Sequence, residues 1–353
     1  MQSTRVGCFG SLMLLAVLLQ GSVRAGAQSV TIQNVNARVS YYRMPDEPLD
    51  PALKTYRAEL DVLFRDISAA SLSKEQLIDA YLVLEGYQEV AMGGDVQILA
   101  GIGEFFVWGE FRKVSRYKVK GRQVLKYYLE VKYSQPVSVR VQKQDGTTLL
   151  DRYIFSRSET RTWISPSYER SSDLDVYWRG QKSGRLGLLQ KDMILEGMRE
   201  IRNLVNNVYG FRRVDDRIHF EAIGRKNHPE YNRYLQQAET LRRAFGKMDA
   251  DKAVDVVRSE AEPALDFFAN AVTRIPAGGK DAIRLKHICM YNLATAYFWL
   301  EDFDRAETLA HDMLQTEGKD KDARRLLDNI DNTRASLQRA GRSSRHVLPQ
   351  RKT

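Results

Sequence analysis

A change in hydrophobic periodicity near residue 229 is the feature that most constrains the fold. Before it, apolar residues alternate with polar ones over short segments rich in β-branched and aromatic residues, as in 30–41 and 56–64. After Asn227-His228-Pro229 they recur every three or four residues, as in 234–244. A period of two is typical of strands, and a spacing of three to four is typical of amphipathic helices. The sequence therefore predicts a sheet-containing part followed by an all-helical part.

Length and cysteine usage set two further bounds. The chain has 353 residues, 43% of them hydrophobic and 28% charged, which excludes a disordered or collagen-like chain and allows two domains. Its cysteines are Cys8 and Cys289. Cys8 lies in a segment that we interpret as a removed leader, so the mature chain has no pair with which to form an intramolecular disulfide. Core packing must stabilise both domains.

Residues 1–27 have the pattern of a secretory signal peptide. Arg5 gives the positively charged start, residues 12–19 form an apolar run, and Ala25-Gly26-Ala27 is a small-residue cleavage site. The run is shorter than the roughly 20 residues that cross a bilayer. A lipid anchor is not expected either, because Cys8 precedes the run. We expect cleavage near Ala27 and export to the periplasm or the medium of a bacterium.

We predict an α+β protein with two domains, the first an α/β sandwich over residues 28–225. It would consist of two similar strand–helix–strand halves, 55–106 and 149–223. A crossover helix in the first half would place its two strands in one sheet. Between the halves, Gln135-Pro136 and Asp145-Gly146 predict two hairpin turns.

The second domain, residues 230–338, is predicted to be all-helical. Within it, residues 287–318 carry Leu293, Ala294, Tyr297 and Ala306 at the spacing of a tetratricopeptide repeat, which this segment resembles. The resemblance implies antiparallel helices in which Ala294 and Ala306 allow close approach while Leu293 and Tyr297 fill the groove. It also implies a concave surface that binds a protein partner, as in exported bacterial envelope proteins of this family.

Residues 339–353 are predicted to form a disordered basic tail. The formal net charge is +9, or +7 after loss of Arg5 and Arg24 with the leader, and Arg339, Arg342 and Arg345 contribute to the excess. Such a tail can bind an anionic surface through screened electrostatics. For an exported protein we expect that surface to be envelope lipid, acidic polymer or an acidic partner, not nucleic acid.

Motifs for catalysis, metals or cofactors are weak or missing. Ser71-Leu72-Ser73-Lys74 matches an S-x-x-K element, but its companion motifs are absent and Ser73 is better explained as a helix N-cap. His287-Ile288-Cys289 is the nearest approach to a metal pair, and we interpret it as a core thiol beside a surface imidazole. Gly101-Ile102-Gly103 lacks the third glycine of a dinucleotide fingerprint. We predict no catalytic residue, no metal and no cofactor.

The segment 156–187 is rich in Ser, Arg and Gly and is predicted to be mainly a loop. Long loops often carry function, and aromatic rings beside carboxylates are typical of sugar-binding surfaces. Burial of these rings against the sheet is the alternative. The candidate ligand or partner surface consists of Trp163, Tyr168, Asp173, Asp175, Tyr177 and Trp178.

Two hypotheses on function follow. The first is an exported, non-enzymatic scaffold of the bacterial cell envelope that binds a protein partner through its tetratricopeptide-like helices. The second is a protein that binds or hydrolyses an envelope glycan through the 156–187 segment. The sequence favours the first, because it lacks a recognisable nucleophile, metal or phosphate-binding constellation.

Overall fold

A computed structural model describes residues 30–63, 72–276, 278–317 and 321–348. The predicted signal peptide, residues 1–27, lies outside the described residues, as does Ser71. The strands are β1 (Ile32–Arg43), β2 (Thr55–Val62), β3 (Gln88–Glu89), β4 (Val96–Ile102), β5 (Phe106–Val119), β6 (Arg122–Ser134), β7 (Val137–Lys143), β8 (Thr148–Phe155), β9 (Arg161–Ile164) and β10 (Arg212–Ile223). The helices are α1 (Lys74–Tyr81), α2 (Ser171–Val208), α3 (Tyr231–Phe245), α4 (Asp255–Arg274), α5 (Lys280–Trp299), α6 (Phe303–Glu317) and α7 (Lys321–Arg339).

The protein is a mixed α+β fold in which the described strands form three sheets. The first has the order β3-β2-β4-β7-β8, the second β5-β6-β9, and the third is the two-stranded ribbon β1-β10. Helix α2 packs against the first two sheets, and helices α3 and α5 pack against the ribbon. Among the described residues, none of the helices combines the length and apolar character that crossing a membrane requires.

The predicted crossover in the first half is present. Strands β2 and β4 are parallel neighbours, joined through α1. Ser73 begins α1 as its N-cap, with its side-chain oxygen accepting a hydrogen bond from the Gln76 backbone N–H at 3.1 Å. Asp95, at the start of β4, accepts bonds from the backbone N–H groups of Lys54 and Thr55, each at 2.8 Å. These bonds lower the pKa of Asp95 and fix the register of the two strands.

The prediction of a hairpin at Gln135-Pro136 is wrong, because the chain changes sheets there. Strand β6 pairs with β5 and β9, whereas β7 pairs with β4 and β8. The Pro136 carbonyl accepts the N–H of Gly103 at 2.8 Å, and the Gln135 amide donates to the Gly103 carbonyl at 3.1 Å. Both residues therefore bind the end of β4 instead of turning the chain back on itself. The second predicted turn, Asp145-Gly146, does join a hairpin, β7 and β8.

The prediction of a loop over 156–187 is also wrong. Helix α2 begins at Ser171 and runs for 38 residues, 17 residues earlier than the Leu188 start that the apolar spacing suggested. Its first turns contain serine and glycine, which have poor helix propensity. Packing offsets this: Leu174 is buried against Leu129 and Val131 of β6. Tertiary contacts with the second sheet extend the helix beyond what local sequence favours.

Two glycines of α2, Gly197 and Gly180, allow alanine substitutions to be compared at a packed and at an open position of the helix. A Cβ at Gly197 would lie 2.8 Å from one methyl group of Val137, whereas a Cβ at Gly180 would meet nothing within 4 Å. We expect Gly197→Ala to lower the free energy of unfolding by about 1–3 kcal/mol through overpacking. We expect Gly180→Ala to raise it by about 0.5–1 kcal/mol, because alanine has the higher helix propensity. Urea unfolding of both variants measures this, and equal effects of the same sign would contradict the packing.

The domain boundary predicted near 225–230 falls between the ribbon and the helices that pack against it. One face of the ribbon is buried against α3, α4 and α5; the buried ribbon residues include Val35, Val39, Ile218 and Phe220. At its far end the Glu221 backbone N–H donates to the Asn292 side-chain oxygen at 2.7 Å, and the Asn292 amide donates back to the Glu221 carbonyl at 2.8 Å. Strand β10 is in the ribbon, whereas β8 is in the first sheet. Because they are in different sheets, β8, α2 and β10 do not form a second strand–helix–strand half.

Helices α5 and α6 are joined by the three residues 300–302 and pack against each other. Leu293, Ala294 and Ala306 are buried, and Tyr297 is half-buried with the Arg305 guanidinium 5.4 Å from its ring centroid. Pro263 lies inside α4, whose helix continues on both sides of it. In the described residues, the helical part thus contains α3 to α7, of which α3 and α5 pack directly on the ribbon.

Candidate functional site

A cleft runs between α7 and the β1–β10 ribbon, with α5 as its floor. It consists of two adjoining cavities of about 550 and about 320 Å³, which share lining residues on β10, α5 and α7. The ribbon wall contains Tyr41, Tyr42, Arg43 and Asp216. The floor contains Tyr291, Thr295, Phe298 and Trp299.

One face of α7 forms the other wall. The lining residues recur every three or four positions, so they lie in one stripe along the helix. The apolar positions Ala323, Ile330 and Leu337 are buried on another side of the helix. Apart from Leu326, the stripe is amide, hydroxyl or charged; its polar members are Asp322, Arg325, Asn329, Asn332, Thr333, Ser336 and Arg339. This wall can therefore form hydrogen bonds with a bound polar chain.

The prediction of a disordered tail is wrong for residues 340–348, which lie against the end of the cleft. The side chain of Arg345 is only 6% exposed. Its guanidinium lies among four aromatic rings, with centroid distances of 5.3 Å to Tyr41, 4.7 Å to Phe298, 4.8 Å to Trp299 and 6.0 Å to Phe303. We call these four rings the arginine cage. Residues 349–353 lie outside the described residues.

Glu301 closes the arginine cage with a carboxylate. It is 8% exposed and lies 3.2 Å from the Arg345 Nε, and it also accepts the Arg345 backbone N–H at 2.7 Å. Arg345 Nη2 donates to the Phe298 carbonyl at 3.1 Å. Burial lowers the pKa of the Arg345 guanidinium, while Glu301 opposes that shift. Cation–π contact, an ion pair and hydrogen bonds together compensate for the desolvation of the charge.

Backbone hydrogen bonds hold the same segment in place. The Tyr42 N–H donates to the Arg345 carbonyl at 2.8 Å, on an edge of the ribbon. The Val347 N–H donates to the Ala250 carbonyl at 2.7 Å, and His346 Nδ1 lies 3.1 Å from the Asp249 carbonyl oxygen. Backbone bonds of this kind depend little on side-chain identity, so the surface can hold a polypeptide segment through its main chain.

A polar cluster lies at the floor of the smaller cavity. The Tyr291 hydroxyl and His219 Nε2 are 2.8 Å apart, and their rings stack at 5.3 Å. Burial lowers the pKa of His219, with Arg325 acting in the same direction. Burial raises the pKa of Tyr291 to about 12. The neutral forms of both groups are therefore favoured near pH 7, where they can exchange a hydrogen bond.

Acid is expected to destabilise the fold through His219 and His346. Burial lowers both pKa values below the unfolded value of about 6.5. Below that value the unfolded chain binds more protons, so this contribution to stability is complete above about pH 6.5 and declines as the pH falls towards 5. Each group contributes a slope of up to about 1.4 kcal/mol per pH unit. Urea unfolding between pH 7.5 and 5 measures the slope, and His219→Gln should reduce it; stability that rises on acidification would contradict the assignment.

The predicted surface imidazole beside Cys289 is wrong, because His287 is buried. His287 Nε2 lies 3.6 Å from a Glu221 carboxylate oxygen, and its ring stacks on Tyr291 at 6.0 Å. Cys289 is a core thiol that donates to the Tyr234 hydroxyl at 3.5 Å, and burial raises its pKa to about 12. A thiol with a raised pKa is a poor nucleophile. No group of three or more His, Cys, Asp or Glu suited to a metal ion occurs in the described parts of the chain.

The six residues of the predicted ligand surface do come together, but as packing between α2 and the second sheet. Trp163 stacks on Trp178 at 5.7 Å, and the Tyr168 and Tyr177 rings are 5.4 Å apart. Trp178 Nε1 donates to Glu110 at 2.7 Å. Asp175 pairs with Arg112 at 2.7 Å, and Asp173 with Arg170 at 3.5 Å. Both carboxylates and most ring faces are therefore already engaged within the fold.

The residues of the cleft and the arginine cage were not predicted as a site. From the sequence, Arg345 is predicted to lie in a disordered basic tail. The available signal was the polar stripe of α7, in which Asn329, Asn332 and Ser336 follow helical spacing on a helix with few exposed apolar residues. The four cage rings come from β1, α5 and α6, which no local pattern connects.

Comparison with known proteins gives no relative. No protein-family model matches the chain, and no curated protein matches it significantly.

Proposed function

We propose that this protein is a non-enzymatic interaction protein that holds an extended polypeptide segment of a partner in the cleft between α7 and the β1–β10 ribbon. The proposal includes export to the bacterial cell envelope, for which the pattern of residues 1–27 is the support. It also includes a tetratricopeptide-like character of the α5–α6 hairpin, which the buried Ala294 and Ala306 support.

The observation that carries the proposal is that the chain's own segment 342–347 lies at the end of the cleft. It is held by two backbone bonds, Tyr42 to Arg345 and Val347 to Ala250, and by two deeply buried side chains, Arg345 and His346. Backbone hydrogen bonds combined with a single cationic anchor are a common arrangement in peptide recognition. Beyond Arg345 the larger cavity continues past Ser336 to Asn329 with hydrogen-bonding side chains on its wall. A partner segment that enters there could form hydrogen bonds with these side chains.

We do not propose glycan binding or hydrolysis as a second function. That hypothesis requires Asp173 and Asp175 to be presented on an exposed loop. Both lie in the first turns of α2 and pair with arginines, and the rings beside them stack on each other.

Selection from a phage-displayed library of random peptides tests the proposal on the full chain. We expect enriched peptides whose binding, measured by fluorescence polarisation, weakens at least about tenfold when Asn332→Trp and Ser336→Trp fill the cleft. The matched controls are Asp331→Trp and Ala335→Trp, at neighbouring exposed positions of α7 that do not line the cleft. Absence of enriched peptides, or peptides that bind the cleft-filled and control variants equally, would overturn it.

A further inference from the structure

Strands β5 and β6 extend beyond their sheet as a two-stranded arm. Strand β6 pairs with β9 only over Glu130–Tyr133, whereas its pairing with β5 continues to Val119 and Arg122. The two strands are joined by Lys120 and Gly121, whose φ values of 49° and 77° are typical of a tight hairpin turn. We call residues 112–126 the basic arm. Apart from Val119, whose side chain is not described, and the half-buried Ser115, Val124 and Lys126, its residues are exposed.

The basic arm concentrates positive charge. It contains seven basic and no acidic residues. Arg112 pairs with Asp175 at 2.7 Å, and Lys113 with Glu130 at 3.7 Å. The other five form no ion pair with any acid in the described parts of the chain; they are Arg116, Lys118, Lys120, Arg122 and Lys126. By contrast, the arginines after α7 that were expected to supply free charge include the buried Arg345.

Apolar side chains are exposed between these cations. Val114 and Tyr117 are each 51% exposed, and Leu125 is 40% exposed. Arg116 pairs across the strands with Leu125, and Tyr117 with Val124, so each face of the arm carries both apolar and basic side chains. Exposed apolar side chains interleaved with cations on both faces are unusual for a surface that contacts only water.

The part of β5 that precedes the basic arm also carries exposed aromatic side chains with cations near them. Trp108 is 51% exposed and Phe111 is 43% exposed, and the Phe106 ring lies 6.3 Å from the Trp108 ring. Cations already lie over three rings there: Lys132 Nζ lies 5.6 Å from the Phe111 centroid, and the Arg157 guanidinium lies 3.9 Å from the Phe106 centroid and 5.9 Å from the Trp108 centroid. Amphipathic rings such as Trp108 and Tyr117 are characteristic of the membrane–water interface.

We infer that the basic arm binds the surface of an anionic lipid bilayer. Lipid phosphates would neutralise the five unpaired cations, and the interface would take up Val114 and Leu125, which lie on the same face of the arm. A nucleic acid would also attract the cations, but its phosphate-rich surface would leave Val114 and Leu125 in water. Base stacking would in addition compete with the cations over Phe106 and Phe111. The combination of charge with exposed aliphatic side chains therefore favours lipid.

Flotation of the full chain with vesicles tests this inference. We expect binding to vesicles that contain phosphatidylglycerol, weakening with added salt, and none to phosphatidylcholine vesicles. The variant Lys118→Gln/Lys120→Gln/Arg122→Gln should bind about 100-fold more weakly, at about fivefold per cation. The matched control, Arg199→Gln/Lys252→Gln/Arg324→Gln, removes three exposed cations elsewhere and should bind like wild type.

A second variant separates lipid insertion from charge alone. Val114→Ser/Leu125→Ser keeps every cation and should weaken vesicle binding by about tenfold, since two apolar side chains leave the interface. Urea unfolding should show that both arm variants fold like wild type. The inference is overturned if the anionic vesicles are not bound, or if the arm variant and its control bind equally. It is also overturned if the serine variant binds like wild type while polyuridylate RNA binds more tightly than the vesicles.

Discussion

Replacing Arg345 with alanine is expected to lower the free energy of unfolding by about 3 kcal/mol, because it leaves the buried Glu301 carboxylate without its partner. It also empties a cage of four rings and removes the hydrogen bond to the Phe298 carbonyl. The loss is limited because residues 340–348 can leave the surface and let water reach Glu301. Urea unfolding measures the change, and trypsin should cleave after Arg339 and Arg342 faster than in wild type.

Two controls separate the ion pair from a general effect of altering this segment. Arg339→Ala removes an exposed arginine at the end of α7 and should change stability by less than about 0.5 kcal/mol. Adding Glu301→Gln to Arg345→Ala should recover at least about 1 kcal/mol, because it removes the unpaired charge. If Arg345→Ala and Arg339→Ala had equal effects, the buried pair would not stabilise the protein.

The second large effect is expected when the helices are separated from the ribbon. A fragment of residues 226–353 lacks β1 and β10, and so exposes the faces of α3 and α5 that cover Val39 and Phe220. Deleting a single large buried side chain costs about 3–5 kcal/mol, and many are removed at once here. We expect this fragment to lack a cooperative thermal transition, as measured by circular dichroism.

A shortened chain that keeps the ribbon provides the control. Arg43 and Arg212 are paired neighbours at one end of the ribbon, so a two-residue Asn-Gly turn can join them. Residues 30–43 linked in this way to 212–348 should fold cooperatively. A cooperative transition in the fragment 226–353 alone would show instead that the helices form an independent domain.

Sequence reasoning identified the types of most elements because their periodicity is local. The alternation at 56–64, the cap at Ser73 and the turn at Asp145-Gly146 specify structure within a few residues. It failed where distant partners decide. Gln135-Pro136 resembles a hairpin turn, but Gly103 binds both residues, and the early turns of α2 are helical because the second sheet buries Leu174.

The candidate site was beyond local patterns for the same reason. The partner strand of β1 lies almost 170 positions later in the chain, and nothing in either sequence indicates that pairing. In the sequence, Arg345 looks like any basic residue of a terminal tail. Only the fold places Tyr41, Phe298 and Glu301 around it. The six residues proposed as a ligand surface were correctly expected to be near one another, but their contacts are with each other and with β5 and β6.

The most direct test of the cleft as a polypeptide-binding surface uses the chain's own segment as the ligand. Full-length protein carrying Arg345→Ala, whose own segment is weakened, is titrated with a synthetic peptide of residues 340–353 by isothermal calorimetry. We predict that the wild-type peptide binds and raises the melting temperature, and that the same peptide carrying Arg345→Ala binds at least about tenfold more weakly. Equal binding of the two peptides, or binding of neither, would contradict the account.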